Sequence, residues 1–116
     1  MINRDSKNND FNTQDPYPLK PYSKLIINVA ITGMVPTKKD TPFVPITVDE
    51  IIENAIKCVS AGASILHLHA RDKDEKPTYK ADVFAKIIEG IKYECPEVVI
   101  CVTTSGRTYN EFEKRS

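Results

Sequence analysis

Apolar residues along this chain fall in short blocks whose spacing switches between a continuous and a helical period. The run Leu25-Ile26-Ile27-Asn28-Val29-Ala30-Ile31 is β-branched and broken only by Asn28. It predicts a strand buried on both faces, of the kind found in parallel sheets. From Thr32 to Ile46 a segment with Gly33, Pro36, Pro42 and Pro45 predicts a long loop, and loops of that length are often functional. Thr47-Val48-Asp49-Glu50 is a capping box, and Ile51, Ile52, Ala55, Ile56 and Val59 follow at helical spacing. That helix should stop near Ser60-Ala61-Gly62, with Gly62 in the left-handed conformation past its end. A second strand is expected from Ala63 to His69, then a charged loop from Arg71 to Thr78. Lys80 to Glu94 predicts a second helix with Val83, Phe84, Ile87, Ile88 and Ile91 on its apolar face, closed by Pro96. Val98 to Thr103 is a third strand, and Thr108-Tyr109-Asn110-Glu111 is a second capping box opening a third helix.

The order β-α-β-α-β implies an α/β fold with a parallel sheet and right-handed crossovers. Three strands and two full helices would leave an edge bare while the strands are apolar on both faces. We therefore expect the N-terminal portion of a (β/α)8 TIM barrel, truncated, in preference to a small open α/β sandwich. Such a barrel takes about 250 residues, and the chain has 116. Residues 1–23, rich in Asn and charge and then in Pro16, Pro18 and Pro21, are expected to be a disordered tail. Residues 24–116 would be the partial barrel domain.

Composition narrows the function classes. Sixteen basic and sixteen acidic residues leave no net charge, so nothing marks a nucleic-acid or anionic-membrane partner. No apolar stretch is long enough to span a bilayer, and the first residues hold no apolar core of a secretory signal. Cys58, Cys95 and Cys101 have no paired spacing and are expected as reduced thiols of a cytoplasmic protein, Cys58 and Cys101 packing as small hydrophobes.

His67-Leu68-His69 is the sharpest chemical feature. Residues two apart on a strand share a face at about 6.6 Å of rise. Two imidazoles so placed can share one metal at about 2.0–2.1 Å per nitrogen. Ile65 should lie deeper on that face, with Leu66, Leu68 and Ala70 turned to the helices. The bland alternative is two partly buried polar side chains. The histidines end their strand on the side where α/β folds bind ligands. Only two His exist here, so a third ligand must come from elsewhere; Asp72 is suited rather to holding the loop or supporting the site. Arg71 either reaches into the site as an anion partner or pairs with Asp72 to pin the loop. Thr103-Thr104-Ser105-Gly106 offers hydroxyls and N–H groups as a carboxylate cradle, or is merely a helix-opening turn. Gly33 allows close approach of a ligand and Lys38 could meet an anion; a tight turn and a surface lysine are the plainer readings.

Three segments together carry a resemblance: Ala30 to Lys38, Thr41 to Ile51, and Ala61 to Asp72, the last holding Ala-Gly-Ala-Ser-Ile-Leu-His-Leu-His-Ala-Arg-Asp. With their spacing to Thr103–Gly106 they resemble the β-keto acid cleavage enzymes, over about residues 24 to 107. The resemblance implies a zinc-dependent (β/α)8 barrel, usually a homo-oligomer, that condenses a β-keto acid with acetyl-CoA to give acetoacetate and a new CoA thioester. It implies His67 and His69 as zinc ligands, Thr103 as the residue that holds the keto acid, and Thr104, Ser105 and Gly106 as binders of its carboxylate. Val35 stands at about the place where the best-known member has a Glu that helps recognise a substrate amino group. We therefore expect a substrate side chain that is neutral or differently charged. The family's third zinc ligand, a Glu, lies on a late strand with an Asp base and an Arg, beyond residue 116, so the chain alone is expected to be inactive. Two other readings stay open: a metal-dependent hydrolase of amidohydrolase type, which places His-x-His on its first barrel strand, and a non-catalytic remnant that pairs with another polypeptide.

Overall fold

A computed structural model describes residues 24–103. Its elements are β1 (Asn28–Ala30), α1 (Val48–Ser60), β2 (Ile65–Leu68), α2 (Ala81–Glu94) and β3 (Val99–Val102). The expected tail over residues 1–23 and the expected third helix lie outside the described residues.

The strands form one parallel sheet in the order β1-β2-β3. The register aligns Val29, Leu66 and Ile100 across one face, and Ala30, His67 and Cys101 across the other. Both helices pack on the Leu66 face. Leu66, Leu68, Ile51, Ala55, Ile87 and Ile91 are fully buried there in one cluster, with Val29, Ile52, Phe84 and Ile88 against it. This is the expected split of the second strand, with Leu66, Leu68 and Ala70 turned to the helices.

The capping box holds as expected. Glu50 N–H donates to Thr47 Oγ1, while Glu50 Oε1 accepts from the Thr47 and Ile46 N–H groups. At the other end Gly62 N–H reaches the Val59 carbonyl and Ala63 N–H the Cys58 carbonyl, the paired bonds of a Schellman stop. Gly62 takes φ 120° there, which only glycine adopts freely. Helix α2 starts without a side-chain cap; at its far end Lys92 Nζ donates to the Pro96 and Val98 carbonyls. The helices meet at Gly90, where a Cβ would overlap Ile52 Cδ1. That close approach carries no sequence signal beyond the glycine itself.

All three strands are shorter than their apolar runs. The expectation that the first is buried on both faces fails: Leu25 is 84% and Ile26 70% exposed, before the ladder begins. The Ile27 carbonyl accepts from the Ser64 and Ile65 N–H groups, ahead of the first ladder residue. The third strand likewise leaves Val99 and Val102 exposed. The cause is common to both. Each edges the described sheet, and the helices cover one of its two faces.

Candidate functional site

The C-terminal ends of the strands gather the polar residues. His67 sits between Ala30 and Cys101 on the face away from the helices. His69 follows on the same side, one residue past β2. The two rings lie with centroids 5.0 Å apart and planes tilted by 44°. Both histidines are half-buried.

His69 Nδ1 lies 3.3 Å from the Ile31 carbonyl oxygen. A carbonyl only accepts, so this nitrogen carries the proton and Nε2 keeps the lone pair of the neutral ring. Burial, first of all, holds the His69 pKa below the ordinary imidazole value. The Ile31 bond opposes that, and His67 and Arg71 add to it. The ring is therefore neutral near pH 7, the state in which imidazole binds a metal. Among the described residues no group of three or more His, Cys, Asp or Glu side chains is placed to hold a metal ion. Asp72 and Glu75 are turned to other partners. Asp72 Oδ1 accepts from the Asp74 and Lys76 N–H groups, and Glu75 Oε1 from Lys38 N–H.

Arg71 corrects an expectation. It is 5% exposed, and it pins the loops through main-chain carbonyls instead of through Asp72. Its Nε and Nη2 both donate to the Gly33 oxygen, at 3.2 and 2.9 Å, and Nη1 donates to the Glu75 oxygen at 2.7 Å. Desolvation lowers its pKa and the nearby Glu75 raises it. Lys38 meets the anion of its own chain: Nζ donates to Glu50 Oε2 at 2.9 Å and to the Pro42 carbonyl. Gly33 does form a tight turn, at φ 73°, and the preceding Thr32 also takes φ 73°. The bond from Gly33 N–H to the Ile31 oxygen makes Thr32 the centre of a γ-turn of the rarer, strained hand.

Thr103 is half-buried and lies one residue beyond β3. Thr104, Ser105 and Gly106 lie outside the described residues, as does the second capping box. Two features escaped the sequence reading. The Ile31 carbonyl acts as the partner of His69, and main-chain acceptors leave no trace in side-chain identity. Cys101, expected to pack as a small hydrophobe, is half-buried and lies level with His67 on the face away from the two described helices; the period of two along the third strand was the available signal.

Comparison with known proteins follows the same segment of chain. A family model described as BKACE, beta-keto acid cleavage enzyme, matches residues 24–116. The chain is 47% identical over 83 residues to the 3-oxoadipate:acetyl-CoA acetyltransferase of Cupriavidus necator, covering 72% of this chain and 29% of that protein. It is 48% identical over 83 residues to the 3-keto-5-aminohexanoate cleavage enzyme of Fusobacterium nucleatum, covering 72% of this chain and 30% of that protein. The chain thus spans about 30% of the length of these curated relatives. Among solved structures, the binary complex of ObcA with oxaloacetate aligns with a TM-score of 0.58 and 26% identity, over 64% of this chain and 19% of that one. The ternary complex of ObcA with a C4-CoA adduct and oxalate aligns at 0.54 and 26% identity, over 57% and 17%.

Proposed function

The chain belongs to the β-keto acid cleavage enzyme family, and from that premise we propose that it carries the first part of a zinc site for condensing a β-keto acid with acetyl-CoA. The products would be acetoacetate and a new CoA thioester, the work of a C-acyltransferase. One observation carries the reading: two half-buried imidazoles with centroids 5.0 Å apart, at the ligand-binding end of the central strand. The donors fit zinc, because His69 holds its proton on Nδ1 against a main-chain carbonyl, the usual support of a metal-binding imidazole.

When bound, zinc would polarise the β-keto oxygen as a Lewis acid. The residues of this chain do the rest of their share by position. His67 and His69 hold the metal. Thr103, just past the end of β3, holds the keto acid, and Thr104, Ser105 and Gly106 bind its carboxylate. Val35 is exposed and apolar, which favours a substrate side chain that is neutral or differently charged over an amino group. A third ligand and the base would come from further strands of a (β/α)8 barrel, in a cytoplasmic homo-oligomer. On that reading these 116 residues alone are inactive.

The test is an assay of the complete reading frame for acetoacetate formed from acetyl-CoA and a panel of β-keto acids, before and after chelation. Activity that requires CoA and is restored by zinc is expected. Activity indifferent to chelation would remove the zinc role, and amide or lactone hydrolysis without CoA would favour a hydrolase.

A further inference from the structure

The turn that follows β1 is held far more tightly than a connecting loop needs. Thr32 is β-branched yet sits at φ 73°, a strained conformation that persists only where its surroundings impose it. Three contacts impose it. Thr32 Oγ1 donates to the Pro45 oxygen at 2.7 Å, Gly33 N–H closes onto the Ile31 oxygen at 2.8 Å, and Arg71 grips the Gly33 oxygen with two N–H groups. Arg71 is anchored in turn by the Glu75 oxygen, and Glu75 by Lys38 N–H. What this strained turn presents is the Ile31 carbonyl, the acceptor of His69 Nδ1.

We propose that Arg71 is a positioning residue that sets the tautomer of His69. By clamping the Gly33 carbonyl it fixes the turn, the turn fixes the Ile31 oxygen, and that oxygen selects the Nδ1–H form. Nε2 is then the lone-pair nitrogen. An unconstrained neutral imidazole favours the opposite form, with the proton on Nε2. The guanidinium suits this task because its planar fork delivers two bonds to one oxygen and a third to another, which an ammonium cannot match in the same geometry. The proposal rests on the zinc reading only for the use made of Nε2; the tautomer itself is a property of the metal-free chain.

The experiment is long-range 15N–1H correlation of the histidine rings in the metal-free 116-residue chain, at a pH above the imidazole titration. In the wild-type chain His69 should be in the Nδ1–H form. His67, whose ring nitrogens have no such acceptor among the described residues, serves as the internal reference. Arg71→Lys should move His69 to mostly Nε2–H while His67 keeps its ratio. Thr32→Val removes the Pro45 bond without touching the buried guanidinium, and should move His69 part of the way; it decides the matter if Arg71→Lys loses the native amide spectrum. A free-imidazole ratio at His69 in the wild-type chain overturns the proposal. So does an unchanged Nδ1–H form in folded Arg71→Lys, or in Thr32→Val when Arg71→Lys does not fold. Failure of zinc binding with the tautomer intact would count against the metal reading alone.

Discussion

The two faces of the sheet are built from the same three strands and differ in almost everything else. On one, Val29, Leu66 and Ile100 line up under two helices and Leu66 and Leu68 lose all contact with solvent. On the other, Ala30, His67 and Cys101 line up, with Asn28, Ile65 and Val99 one layer below, and no described element covers them. Val99 is 56% exposed. The first face accounts for the stability of the described fold, since apolar area removed from water is the main favourable contribution. The second carries the ionisable and thiol groups. Buried core positions and positions on the face away from the helices thus alternate along β2, so the effect of a substitution there on stability depends on parity.

That division can be broken experimentally. The largest effect is expected at the centre of the helix-covered face, where Leu66→Ala should cost about 2–5 kcal/mol in denaturant unfolding. Equal loss from Ile65→Ala, its neighbour on the open face, would contradict the division. Gly90→Leu should cost about 1–3 kcal/mol, because the added side chain has to displace Ile52 at the closest approach of the two helices. Thr47→Ala removes the cap of α1 and should cost about 1 kcal/mol. Its partner Glu50 gives a pH signature. Bonds from the Ile46 N–H, Lys38 and the Thr47 N–H hold its carboxyl at about 2, against 4.5 ordinarily. An acid lowered in the folded state adds stability above its unfolded value and loses it as the pH falls through the folded one. This contribution therefore fades from about pH 5 towards pH 2, and Glu50→Gln should flatten that part of the acid limb. The smallest effect is expected on the open face, where Val99→Thr should stay within about 0.5 kcal/mol.

The helix-covered half was largely legible in the sequence. Period-3.6 stripes named the buried positions of both helices, Thr47 and Glu50 marked where α1 begins, and Gly62 marked where it ends. The strand bounds were over-read at Leu25–Ile27, because an apolar run looks alike inside a ladder and on its approach. For the candidate site, the pairing of the two imidazoles on one side was legible in the sequence and the main-chain contacts around them were not. His67 and His69 announced themselves by spacing. The grip of Arg71 on the Gly33 and Glu75 carbonyls did not, because any residue type offers that oxygen, and Asp72 beside it suggested the wrong partner. The strained turn at Thr32 was hidden for a related reason: a β-branched residue is the last one expected at positive φ.

The central claim is that the open face exists to bind a metal through its two histidines. Zinc titration of the chain, compared with His67→Ala and His69→Ala, tests it most directly. The account predicts that each substitution lowers zinc affinity by at least about tenfold while the unfolding midpoint moves little. Unchanged affinity in both variants would contradict it.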